Sequence, residues 1–154
     1  MAKVSKQVID LLNQALSVEY SAVIQYTQFA ALLQGADRPL YKETFEDSSK
    51  ESQGHAQIVS DLIVSIGGTP TIETARIRQT TDAKEMLQFA LATEKEAMDT
   101  YQKAHDALEG ESGLKYMLEE RVIAEQEDVW ELEKLLSLHA LKVSKKEIKL
   151  SEAG

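Results

Sequence analysis

The sequence predicts an all-α fold, an antiparallel four-helix bundle with one long crossover, formed as a single domain over residues 1–154. Three observations carry that reading. Only two prolines and seven glycines occur in 154 residues, and Ala, Leu, Glu, Lys and Gln are abundant, which favours helix throughout. Breaker residues divide the chain into segments joined by a short, then a long, then a short connection. The pattern also repeats. Glu19 is followed seven residues later by Tyr26, and Glu94 seven later by Tyr101; each such helix leads into one bearing a polar pair three residues apart, Ser52/His55 and Glu125/Asp128.

The first helix spans residues 5–34, with Leu12, Glu19, Val23, Tyr26, Ala30 and Leu33 on one face. Gly35 ends it, because glycine adopts the left-handed cap conformation without a Cβ clash. Asp37 and Pro39 then suit the N-cap and first turn of a second helix over 38–66, so close behind that the two must be antiparallel neighbours. Its inward face reads Phe45, Ser52, His55, Val59, Leu62 and Ile66, and it stops at Gly67-Gly68-Thr69-Pro70. Residues 68–81, with Ile72 and Ile77, form the crossover and are expected to pack along the outside of the bundle.

Asp82 followed by Glu85 resembles a capping box and opens a third helix over 82–109, with Met86, Ala90, Glu94, Ala97, Tyr101 and His105 facing in. Gly110 and Ser112-Gly113 make the second tight hairpin. The fourth helix, 113–140, carries Leu114, Leu118, Val122, Glu125, Asp128, Leu132 and Leu135. The lysine-rich tail, 142–154, is expected to hold a short fifth helix or to fray. His105 and His139 read as structural or surface residues, and Trp130 as packing at an interface or under the tail.

The absence of cysteine excludes disulfides, zinc–thiolate sites, iron–sulfur clusters and thiol catalysis. A net charge of −9 and a pI near 4.9 argue against broad binding to nucleic acid or anionic membranes. Neither a secretory leader nor an apolar run of spanning length is evident, so the expected location is the cytoplasm.

Acids on an inward helix face are costly unless paired or bound to a cation. Glu19, Glu94, Glu125 and Asp128 would set four carboxylates around one cavity, with His55 adding a nitrogen donor. Two divalent cations would balance the four charges, and the mixed carboxylate and imidazole set suits iron or manganese, with zinc able to compete. Read alone, His55 also suits a hydrogen-bonded core histidine, and Glu125-Gln126-Glu127-Asp128 a solvated acidic face. Leu118, Val122, Leu132 and Leu135 instead place Glu125 and Asp128 on the apolar stripe. Tyr26 and Tyr101 read as core residues whose hydroxyls bond a neighbouring carboxylate.

Glu19, the crossover topology, His55-Ala56, Gly67-Gly68-Thr69-Pro70, Glu94, and Glu125 with an acid at Asp128 together resemble the ferritin superfamily, and within it bacterioferritin. The resemblance covers nearly the whole chain. It implies an intrasubunit di-iron ferroxidase centre that oxidises Fe(II) with oxygen or peroxide, in which Glu19 and Glu94 match terminal carboxylates, His55 a terminal imidazole and Glu125 a bridging carboxylate. Glu19, Glu94 and Glu125 are accordingly the expected catalytic residues, and Glu19, His55, Glu94, Glu125 and Asp128 the expected metal ligands.

Two positions depart from the family pattern. The bridging glutamate of the second helix falls on Ser52, and the histidine of the fourth on Asp128. The departures predict weaker or asymmetric metal binding; Glu51, one residue off the matched position, flanks the inward face. The methionine that binds haem between bacterioferritin subunits is matched by Gln53, so no haem is expected. The resemblance further implies a homo-oligomer, a dimer or a 24-subunit shell that stores iron, with a twofold contact on the outer faces of helices one and two. Two rival readings accompany it: a dimeric di-metal oxidase or peroxidase of the rubrerythrin kind, and a catalytically degenerate bundle serving as an assembly or interaction subunit. A DNA-protecting mini-ferritin is disfavoured, since no basic arm extends beyond Lys3 and Lys6.

Overall fold

The computed structural model describes residues 4–152, with side chains through residue 140 and at Lys145. Four helices follow one another: α1 (Lys6–Leu32), α2 (Arg38–Ser65), α3 (Ala83–Asp106) and α4 (Ser112–Glu152), with a single 3-10 turn, Gly35–Asp37, between α1 and α2. The helix α1 packs chiefly on α2 and α3 chiefly on α4, and α1 also packs on α3. This is the crossover four-helix bundle that the connection lengths predict. Among the described residues, no helix is long and apolar enough to cross a membrane.

Local sequence explains the helix ends. Ser5 caps α1, its hydroxyl oxygen accepting from the Val8 amide. The helix stops at Leu32, two residues before the expected end, because Leu33 and Gln34 are already extended (ψ 131° and 167°), and Gly35 takes a φ of +62° to start the turn. At the far end of α2, Gly67 has a φ of +86°, and the Gly68 amide donates back to the Ile63 carbonyl at 2.8 Å. Asp82 accepts from the Glu85 amide at 2.8 Å, half of the expected capping box. The reciprocal half is rerouted: Glu85 accepts from the Thr80 hydroxyl at 2.6 Å, and Thr80 Oγ1 accepts from the Asp82 amide at 3.2 Å.

One expectation is corrected. The fourth helix does not end at 140 to leave a fifth helix or a frayed tail; α4 runs unbroken through Glu152. Nothing between 114 and 152 is a glycine or proline, so no residue there interrupts the backbone ladder. The crossover lies along α1 as expected, and Ile72, 93% exposed, does not seat it. Polar side chains of α1 hold it instead. Asn13 donates to the Thr69 carbonyl at 3.0 Å and accepts from the Thr71 amide at 2.8 Å, and Gln25 accepts from the Arg78 amide at 2.9 Å. The Ala75 amide donates to the Ser17 carbonyl at 2.9 Å.

The interior contains two apolar clusters. One gathers Leu12, Leu16, Val59, Ile63, Tyr101 and Leu118 among others; the second is built around Tyr26, Phe29, Phe45, Met86, Leu87 and Leu132. Buried polar residues, Glu19, Ser52, His55, Glu94 and Glu125, complete the interior. His139, expected at the surface or in a structural role, is buried, its Nδ1 3.3 Å from the Tyr41 hydroxyl. Trp130 is 54% exposed.

The α2 terminus provides a test of this packing. A Cβ on Gly68 would lie 2.8 Å from Cγ2 of both Ile63 and Ile9, whereas one on Gly54, in the middle of α2, would meet nothing within 4 Å. Gly68→Ala is expected to lose about 1–3 kcal/mol through overpacking, and Gly54→Ala to gain up to about 1 kcal/mol from helix propensity. Urea unfolding of the two variants beside the parent checks both signs.

Candidate metal centre

Each helix delivers acids or a histidine to the same place. Glu19 comes from α1, His55 from α2, Glu94 from α3, and Glu125 and Asp128 from α4. All but Asp128 are buried, and Asp128 is half-buried. All five expected ligands therefore meet, in two overlapping groups. Glu19, His55 and Glu125 bring one donor atom each within 4.8 Å of one another, and so do Glu94, Glu125 and Asp128. Glu125 belongs to both.

The hydrogen bonds around these acids are crossed. Tyr101 on α3 donates to Glu19 on α1 at 2.7 Å, and Tyr26 on α1 donates to Glu94 on α3. The repeated Glu–Tyr heptad thus works in exchange between helices, each tyrosine orienting the acid of the other repeat. His55 Nδ1 lies 3.1 Å from Oε1 of Glu125 and 3.5 Å from Oε1 of Glu19. Its Nε2 faces outward, 3.9 Å from Oε1 of the half-exposed Glu51. Glu125 Oε2 is buried and has no hydrogen-bond partner among the described residues. A fully desolvated carboxylate oxygen left unpaired is rare in folded proteins and fits a position that a cation completes.

Electrostatics follow from this crowding. Burial, then the Glu19 charge, pushes the Glu125 carboxyl far above the usual carboxylate range. Burial also raises Glu94, opposed by the nearby Glu125 carboxyl and the Tyr26 hydroxyl and reinforced by the Glu19 charge. Asp128 is pushed up to about 7 by burial, then by Glu94 and Glu51. Burial works against a charged His55, but Glu19, by hydrogen bond and by charge, outweighs it and raises the imidazole. Burial raises both tyrosines as well, so they stay neutral donors. The site holds protons that a bound cation would displace.

Sequence reasoning missed several polar residues here. Buried Gln25 donates to the Thr93 hydroxyl at 3.0 Å while accepting from the Arg78 amide, so one side chain links α1, α3 and the crossover. Thr44 and Ser48 line a small cavity beside Glu94 and Asp128. Thr44 and Ser48 lie one turn apart on α2, and Ser48 one turn before Ser52, a spacing the sequence did contain.

The ferritin-like domain family matches residues 9–141. The chain belongs to the ferritin family. A ferritin-like, diiron-carboxylate protein from Bacillus anthracis str. Ames superposes with a TM-score of 0.83 at 35% identity, covering 88% of this chain and 99% of that one. The bacterioferritin of Rhodobacter capsulatus, solved with a metal-free dinuclear site and haem iron, superposes with a TM-score of 0.80 at 28% identity, over 90% of this ferritin-like chain and 88% of its own. A nutrient stress-induced DNA-binding protein from Synechococcus sp. is 23% identical across 92% of this chain and 87% of its own length.

The raised carboxyls make the metal-free protein's stability depend on pH with a definite sign. Burial, with Glu94 and Glu51 nearby, pushes Asp128 up to about 7 in the folded chain, against 3.8 for the free side chain. Between those values the folded chain holds a proton that the unfolded chain has lost, so this contribution shrinks as pH rises. Glu94, Glu125 and His55 are all shifted upward and act in the same direction. The thermal midpoint of chelator-treated protein is expected to fall from about pH 5.5 to about pH 8, and less steeply in Asp128→Asn. A midpoint that rises over this range would contradict the assignment.

Proposed function

We propose that this ferritin-like chain binds Fe(II) at an intrasubunit pair of positions and oxidises it with oxygen or peroxide. The observation that carries the proposal is Glu125, shared by both donor groups, with one oxygen 3.1 Å from His55 Nδ1 and the other buried without a partner. Iron is the substrate. Glu19 and His55 would hold one ion and Glu94 and Asp128 the other, with Glu125 between them. Mixed carboxylate and imidazole donors suit Fe(II) and Mn(II), and buried carboxylates favour the ferric product by balancing its higher charge.

The chain's own groups do the positioning. Tyr101 and Tyr26 hold Glu19 and Glu94 in fixed orientations, which spares reorganisation when an ion arrives. His55 presents Nδ1 to the interior, with Nε2 toward Glu51, the orientation a ligating histidine needs. Asp128 and Glu125 give up protons as cations enter, so uptake is expected to acidify the solution.

The proposal extends to a cytoplasmic homo-oligomer that stores the oxidised iron, without haem because Gln53 stands in the methionine position. Exposed Ile24, Ile58 and Ile72 supply apolar surface on the outer faces of α1 and α2 and on the crossover, where the twofold contact is proposed. DNA binding, which the cyanobacterial relative's name carries, is the competing reading. The net charge of −9 argues against it, and a gel shift with duplex DNA at low salt would reveal it.

Anaerobic Fe(II) titration of metal-free protein, followed by oxygen, tests the central reading. Two Fe(II) per subunit, one per donor group, are expected to oxidise faster than in buffer, with loss of the fast phase in Glu94→Ala. Absence of saturable binding would leave the degenerate bundle as the better account.

A further inference from the structure

Two consecutive pairs tie α1 to α3. Gln25 meets Thr93, and the next residue of each helix, Tyr26 and Glu94, meet as well. Gln25 and Thr93 are both buried, and neither holds an ion in the proposed function. The directions of their hydrogen bonds are fixed. The Arg78 amide can only donate, so it takes Gln25 Oε1, at 2.9 Å, and leaves Nε2 to donate to Thr93 Oγ1 at 3.0 Å. Thr93 Oγ1 in turn donates to the Phe89 carbonyl at 2.9 Å. The Arg78 side chain reaches α3 too, with Nη1 3.5 Å from Thr93 Oγ1 and the guanidinium over the Phe89 ring. The crossover is thus bonded, through Gln25, to the residue that precedes Glu94.

Seating the crossover and orienting Glu94 are joined by this chain of bonds. With Arg78 displaced, Gln25 Oε1 loses its donor inside the bundle, where an unmade hydrogen bond is costly. The amide then turns toward another partner and releases Thr93. Tyr26 follows, because helices shift as rigid bodies. A slide of one residue's rise, about 1.5 Å, takes Gln25–Thr93 and Tyr26–Glu94 out of hydrogen-bonding range together. We propose that Gln25 is a positioning residue through which the crossover, at Arg78, sets the hold of Tyr26 on Glu94, so that an ion bound at Glu94 tightens the crossover and a loosened crossover weakens the ion. Such coupling is reciprocal, by the same factor in both directions. Its ion-binding half rests on reading the buried acids as a metal centre; the link from Arg78 to Tyr26 does not.

The test uses Zn(II) alone as the ion and reads hydrogen exchange at the Arg78 amide, whose acceptor is Gln25. In the metal-free protein, Tyr26→Phe should speed this exchange about fivefold or more and leave the Thr71 amide, held by Asn13, unchanged. In the parent, Zn(II) should slow Arg78 exchange by a similar factor. Gln25→Met, and Thr93→Val, which keeps the shape of the residue, should each weaken Zn(II) binding about fivefold or more. Added to Tyr26→Phe, Thr93→Val should weaken it no further, since both act through one bond. Asn13→Ala frees the other end of the crossover, at Thr69 and Thr71, and should leave the Zn(II) Kd as it is. Arg78 exchange that neither Tyr26→Phe nor Zn(II) alters, or parental Zn(II) affinity in Gln25→Met and Thr93→Val, would overturn the coupling and leave the metal centre standing. Absence of saturable Zn(II) binding, with Arg78 exchange still faster in Tyr26→Phe, would overturn the metal centre and leave the link from crossover to Glu94.

Discussion

The structure depends on keeping Glu19, Glu94 and Glu125 out of water at one level of a helical bundle. Removing a charged carboxylate from water costs several kcal/mol unless partners replace the lost hydration. The fold supplies some of those partners and withholds others. Tyr101 and Tyr26 each donate across α1 and α3, and His55 lies against Glu125 and Glu19, but Glu125 Oε2 has none. The consequence is that burial holds the Glu94 and Glu125 carboxyls toward their neutral forms. Stability comes from elsewhere, from the apolar clusters around Leu16 and Ile63 and around Phe29 and Met86, which can pack without the polar layer contributing.

Ser52 and Asp128 alter this layer in opposite ways. Ser52 puts a buried hydroxyl, not an acid, on the inward face of α2. Asp128 restores an acid on α4, where it is half-buried and faces Glu94 and Glu51 rather than the imidazole side alone. The total charge of the donors is kept while its distribution shifts toward α4. The layer is therefore near-twofold in its tyrosines and asymmetric in its other polar side chains, with a small cavity beside Glu94 and Asp128.

The crossover shows a second use of polar side chains. It lies against α1 through the side chains of Asn13 and Gln25 and the backbone carbonyl of Ser17, and Gln25 continues the connection inward to Thr93 on α3. Amide side chains with both a donor and an acceptor satisfy extended backbone that no strand partner pairs. Ile72 of this segment projects almost fully into solvent beside exposed residues of α1 and α2.

Much of this was legible in the residues themselves. Periodicity identified which face of each helix turns inward, and so placed Glu19, His55, Glu94, Glu125 and Asp128 in the interior; connection lengths determined that the bundle has one crossover. The continuity of α4 was legible too, in the absence of glycine or proline between Gly113 and Glu152, although a lysine-rich tail suggested otherwise. Tertiary structure alone decided the pairing. Nothing in a single helix states that Tyr26 reaches Glu94 rather than Glu19, that Gln25 turns in to anchor the crossover, or that Glu125 stands between two donor groups. A helix's sequence sets the angle at which a side chain leaves the axis, whereas its partner depends on how far neighbouring helices slide along one another. That distance is set by packing summed over the whole interface.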